Sequence, residues 1–167
     1  MYELLLGPAF HSLPEAIRTL HQSAGTYRFS GACMIQRGDS WLSCLLARAA
    51  SLPPAGTTAI TVTIESNGAR EVWLREFGAH RMRSVLRAKR NRLYESLGLA
   101  NFVFALAIEN HRIRWTLEAV RALGVSLPIR WFELDVWEGE RDGRYHFNVR
   151  VNIRGLGLLV HYAGWLE

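Results

Sequence analysis

The sequence predicts a mostly β (α+β) fold: an antiparallel β-barrel or strongly curled sheet of about nine strands with two N-terminal helices, lipocalin-like in general architecture. Three observations predict it. From Thr57 onward apolar residues recur at every second position, the period of a half-buried strand, where the earlier segments keep a helical spacing. Turn signals such as Asn67-Gly68 and Asp142-Gly143 divide that region at short intervals. An open meander of this length would leave two exposed edges and much apolar surface, and closure removes both. The chain has 167 residues, 49% of them hydrophobic and 21% charged, enough to build a core without disulfide or metal staples. One domain is expected over residues 1–167, with helices and the first strand in 1–56 and the meander in 57–167.

Taken in order, Ser12-Leu13-Pro14-Glu15 has the form of a capping box, with Ser12 as N-cap, and Leu13, Ala16, Ile17 and Leu20 follow as one apolar stripe ending near Gly25. Thr26 to Gln36 places Tyr27, Phe29, Cys33 and Ile35 on one parity and reads as the first strand. Asp39 or Ser40 caps a second helix, rich in Trp and Leu and stopped by Pro53-Pro54, which is expected to pack into the core. Both helices are expected to plug or flank one opening.

Thr58 to Ile64 alternates strictly and turns at Asn67-Gly68 into Arg70 to Phe77. Gly78-Ala79 leads into Arg81 to Ala88, followed by an irregular stretch around Tyr94 to Gly98. Asn101 to Ile108 pairs through Glu109-Asn110 with His111 to Glu118. A loop, Arg121 to Ile129, precedes Trp131 to Glu138. Asp142-Gly143 turns into Arg144 to Ile153, and Gly155-Leu156-Gly157 opens a last strand ending at Leu166.

Twenty Lys+Arg against fifteen Asp+Glu give a net charge of +5, and Lys89 is the only lysine. The arginine excess fits an acidic partner or a codon bias. The run Arg81 to Arg92 meets no aromatic until Tyr94 and lies in no recognisable module, so nucleic acid is not expected as a partner. No stretch is apolar for long enough to form a spanning helix, and the start lacks a basic n-region; a cytoplasmic location is the default expectation. Cys33 and Cys44 are then expected as buried thiols without a disulfide.

Catalytic signatures are weak. The cysteines and histidines show none of the short paired spacings of a zinc site, and Gly155-Leu156-Gly157 lacks the third glycine of a dinucleotide loop, so neither metal nor cofactor is expected. His146 and His161 lack a nucleophile in an elbow motif, Glu109-Asn110-His111 reads as a turn, and Glu133 with Asp135 reads as an outward acidic face. More informative is Trp73-Leu74-Arg75-Glu76-Phe77, which puts Trp73, Arg75 and Phe77 on one face with Arg81 and Arg83 just past the turn. Stacking surface beside guanidinium suits an amphipathic acid whose carboxylate meets an arginine fork.

The ordered landmarks from Leu4 to Pro14, Arg28-Phe29-Ser30-Gly31, Trp73 to Gly78, Gly143 to Val151 and Tyr162 to Leu166 resemble the bacterial domain-of-unknown-function family 4166 over nearly the whole chain. That resemblance implies no activity. It does imply association, in some longer proteins, with a saccharopine-dehydrogenase-like NAD(P)-binding domain.

The leading expectation is a non-catalytic binding domain for a small apolar or amphipathic, acidic ligand contacted by Arg28, Trp73, Arg75, Arg83, Trp115 and Tyr145. A second is a protein-interaction or oligomerisation module, docking on a reductase-like partner or on itself through the aromatic rows and the apolar end Leu156 to Leu166. A third is an enzyme of unknown class using His146 or Glu133/Asp135.

Overall fold

Strand pairing closes on itself. The computed structural model describes residues 1–21 and 24–167 and contains eleven antiparallel strands: β1 Gly25–Arg37, β2 Gly56–Ser66, β3 Arg70–Phe77, β4 His80–Lys89, β5 Arg92–Leu97, β6 Ala100–Glu109, β7 Arg112–Ala122, β8 Val125–Leu127, β9 Phe132–Arg141, β10 Arg144–Ile153 and β11 Gly157–Leu166. Successive strands pair from β1 to β7, then β7 pairs with β9, β9 with β10, β10 with β11, and β11 returns to β1. The ring has ten strands, and β8 hangs outside it as a short hairpin on β7.

Two strands, β8 and β5, exceed the expectation, and β5 lies in the stretch read as irregular. Its entry turn is Arg90-Asn91, both residues at positive φ (51° and 57°), the two-residue hairpin geometry usually announced by Asn-Gly. Asp142-Gly143, with φ of 53° and 73°, is the same turn in its common spelling. Within the segment expected as a loop, Val125–Leu127 pairs with β7, and Ile129–Trp131 forms one turn of 3-10 helix.

Antiparallel pairing puts alternate connections at opposite ends. One end carries the β2–β3, β4–β5, β6–β7 and β9–β10 turns and is closed by the N-terminal segment: α1 Tyr2–Leu6, a 3-10 helix Gly7–Ser12 and α2 Glu15–Leu20. The capping box does not form. The 3-10 helix runs through Ser12, whose hydroxyl donates to the Ala9 carbonyl at 2.7 Å, and Pro14 takes the N-cap position. The apolar stripe nevertheless packs inward, with Leu13, Ile17 and Leu20 buried.

The opposite end carries α3, Trp41–Ala49, capped by Ser40, whose hydroxyl oxygen accepts from the Ser43 amide at 3.1 Å. Here two expectations fail. The helices sit at different ends, and α3 buries only Ser43 and Ala47, leaving Trp41, Leu42, Leu45 and Leu46 exposed. The helix lies against β11 by its small residues because Ser43 donates to the Leu158 carbonyl at 3.2 Å, so its bulky face turns away.

The wall is apolar inward and polar outward. Ile60, Val62 and Ile64 of β2, Met82 and Leu86 of β4, and Tyr145 and Phe147 of β10 are buried. Cys33 joins this core, whereas Cys44 is exposed on α3, against the expectation that both thiols are buried.

Candidate functional site

The barrel encloses a cavity of about 540 Å³, lined by inward side chains from nearly every strand and by Leu46 and Leu52 at the α3 end. That volume lies within the range of small-molecule sites. The half toward α3 is apolar, formed among others by Leu97, Phe102, Leu127 and Val151. Polar groups collect toward the plugged end.

The alternation of β3 creates the centre of this polar region. Glu71, Trp73, Arg75 and Phe77 share the inward parity, so two charged residues of opposite sign are carried inward beside two aromatic ones. The Arg75 Nη1 donates to Ser84 Oγ at 2.8 Å, its Nη2 lies 3.7 Å from Glu95 Oε1, and its guanidinium carbon sits 4.7 Å from the centroid of the Trp73 ring. The Trp73 indole N–H donates to Glu71 Oε2 at 2.8 Å. Arg75 is thus positioned by stacking and one short hydrogen bond, while its contact with Glu95 is long for a charge-assisted pair. Guanidinium donors remain for an anion.

Below lies a second cluster. His21 Nε2 stands 2.6 Å from Glu138 Oε2, and the His21 ring stacks on Tyr2 with centroids 3.5 Å apart. Glu138 and Tyr145 face the cavity. Burial, then the Glu138 charge and a hydrogen bond to it, push the Tyr145 phenol well above its ordinary range; burial pushes Tyr162 up to about 12. Tyr2 is also raised well above its ordinary range, first by burial and then by Glu138. The Trp115 side chain lines the cavity, and its buried indole N–H has no hydrogen-bond partner among the described residues.

Of the six residues expected to contact ligand, Trp73, Arg75, Trp115 and Tyr145 line this cavity. Arg28 and Arg83 do not: both stand exposed on the outer wall. In the β3–β4 register Phe77 faces His80 and Arg75 faces Met82, so Arg81 and Arg83 share the outward face with Glu76 and Leu74. Arg81 accordingly pairs with Glu76 at 2.9 Å outside.

Glu133 is also outward and exposed. Asp135 accepts from Arg114 at 2.7 Å and from Asn148 at 3.1 Å, and His161 Nε2 lies 2.9 Å from Asn148 Oδ1, a polar strip across the exterior of four strands, β7, β9, β10 and β11. His146 and His161 are lowered from their usual value, chiefly by partial burial. Residues Leu156 to Leu166 form part of the wall, with Val160 and Leu166 buried, and present no continuous exposed apolar face.

Sequence reasoning missed His21, Glu71, Glu95 and the inward role of Glu138. A signal existed for three of them. Glu71 shares parity with Trp73, Glu95 stands opposite Leu86, and Glu138 ends the row Leu134, Val136. His21 precedes the first strand, where no periodicity applies.

No curated protein matches the chain. The crystal structure of Rv2717c from M. tuberculosis is similar at a TM-score of 0.49 and 13% identity, covering 93% of this chain and 98% of that one. The model of a described family, Domain of unknown function (DUF4166), matches residues 13–166 and so nearly all of the barrel; the chain belongs to that family.

Proposed function

We propose that the protein binds one small, predominantly apolar molecule inside the barrel, with an acidic or other hydrogen-bond-accepting head at Arg75. The observation that carries this reading is the combination of an apolar cavity of about 540 Å³ with a guanidinium held half-satisfied within it. Apolar walls supply affinity through burial, and a few convergent polar groups fix orientation. Arg75 is a donor on the cavity lining; Glu95 and Glu138 disfavour a dianionic head and accept from a hydroxyl. Binding rather than turnover is proposed because the groups read as catalytic candidates, His146, Glu133 and Asp135, lie outside the cavity lining.

The test uses 1-anilinonaphthalene-8-sulfonate, a bicyclic apolar anion, alongside mass spectrometry of whatever the purified protein releases on denaturation. One probe per chain is expected, weakened about tenfold or more by Arg75→Gln, which removes the charge-assisted contact. Leu97→Trp, which fills the cavity, should abolish binding. Probe binding untouched by Leu97→Trp, together with no released molecule near one per chain, overturns the reading.

A further inference from the structure

Eleven large apolar side chains stand exposed among the described residues, and nine of them belong to one end of the barrel: α3, the β5–β6 turn and the segment 123–131. Trp41 is 77% exposed, Leu45 55%, Leu99 62%, Leu123 74% and Trp131 45%. Leu46, Leu99, Leu123 and Trp131 also line the cavity, so these side chains surround its opening. Surface apolar residues scattered singly need no explanation, but nine gathered at one end do.

Charge decides what covers it. Arg48, Arg121, Arg130 and Arg154 are exposed at this end and make no ion pair among the described residues. The unpaired exposed carboxylates at this end are Asp39 and Glu133. Trp41, Leu45 and Arg48 follow an i, i+4, i+7 spacing on the outward face of α3, which places an aromatic, an aliphatic and a cationic group side by side. Two copies meeting mouth to mouth would bring four free guanidiniums against four. Apolar side chains flanked by tryptophan and arginine instead match an anionic lipid interface, where aromatic rings sit at headgroup depth and arginine stems reach phosphate.

We infer that the α3 end docks on an anionic lipid bilayer, with Trp41, Leu45, Leu99, Leu123 and Trp131 entering the interface and the four arginines meeting lipid phosphates. The barrel mouth then faces the membrane, and an apolar molecule passes between bilayer and cavity without crossing water. The surface itself stands on exposure and charge; only this transfer step rests on the proposed ligand binding.

Co-sedimentation with phosphatidylglycerol/phosphatidylcholine vesicles tests the inference, against vesicles of phosphatidylcholine alone. The protein should sediment with the anionic vesicles, and lose about tenfold or more of that affinity at about 0.5 M sodium chloride, where the Debye length shrinks to a few ångströms. A Trp41→Ser/Leu45→Ser variant and an Arg48→Gln/Arg130→Gln variant should each lose about tenfold or more, with thermal midpoints unchanged because these side chains are exposed. Failure to sediment with either vesicle overturns the inference, as does a Trp41→Ser/Leu45→Ser variant that sediments like the parent. Light scattering that shows a dimer, broken by that same variant, assigns the surface to a second copy instead. Leu97→Trp separates the two proposals: it should lose the fluorescent probe and keep the vesicles.

Discussion

The His21 imidazole meets the Glu138 carboxylate at 2.6 Å across the junction between the N-terminal plug and the β9–β10 hairpin, both side chains shielded from water. This contact fastens the plug, together with a hydrogen bond from the Ala16 amide to Glu140 at 2.9 Å. Removing one member leaves the other buried without its partner, a larger loss than the net worth of the pair. His21→Ala should cost about 3 kcal/mol or more in chemical denaturation, and Glu138→Gln, which keeps a hydrogen-bonding group, clearly less. Equal and small losses would mean the plug is held by its apolar stripe alone.

The two thiols should behave differently. Cys44 is exposed, while Cys33 is buried in the wall and burial pushes its thiol up to about 12. Reaction needs thiolate and access. A disulfide reagent at neutral pH should label one thiol per native chain and two after denaturation, and Cys44→Ser should leave the native chain unlabelled.

Alkaline pH should weaken the fold. The Tyr2 and Tyr145 phenols are raised well above their ordinary range, and Tyr162 and Cys33 are raised to about 12, each chiefly by burial. A proton held more tightly in the folded chain stabilises it fully below the unfolded value. That contribution is lost as pH rises through the folded one. Stability should therefore fall steadily between about pH 9 and pH 12. Phenolate absorbance from these tyrosines should appear together with unfolding rather than before it.

The β1–β11 seam should tolerate no added methyl. A Cβ at Gly164 would stand 2.1 Å from the Ala32 carbonyl oxygen and 2.9 Å from Phe147 Cζ, and one at Gly31 would stand 1.8 Å from the Trp165 carbonyl oxygen. Backbone cannot yield as a flexible side chain does. Gly164→Ala and Gly31→Ala should each cost about 2 kcal/mol or more, read as a fall in thermal midpoint. Gly98→Ala, at a φ of 55° with open space around it, should cost less than either.

The barrel itself was legible because alternation is a long, repeated signal: β2, β7 and β10 lie close to where their patterns put them, and the Asn67-Gly68 turn forms, with Asn67 Oδ1 accepting from the Arg70 amide at 2.8 Å. What alternation does not encode is which parity faces inward. Trp73 and Arg75 were rightly grouped, but carrying the same face across Gly78-Ala79 to Arg83 required the register, in which Phe77 opposes His80. β5 was hidden by a turn made of Arg90 and Asn91, whose strained φ no glycine advertises. The outward Trp and Leu residues of α3 carry the composition of a core helix, and only the small residues Ser43 and Ala47 fix its actual packing face.

Barrel closure depends on β11 pairing with β1, where Ser30 and Glu167 exchange backbone hydrogen bonds of 2.9 Å. β1 is made by the ribosome before any other strand and its partner after all the rest. Throughout the synthesis of β2 to β10 the nascent sheet therefore keeps an unpaired edge and an uncovered apolar face. The N-terminal segment cannot shelter that face, since its anchors Glu138 and Glu140 emerge late. The growing chain is most exposed to aggregation just before its last strand appears.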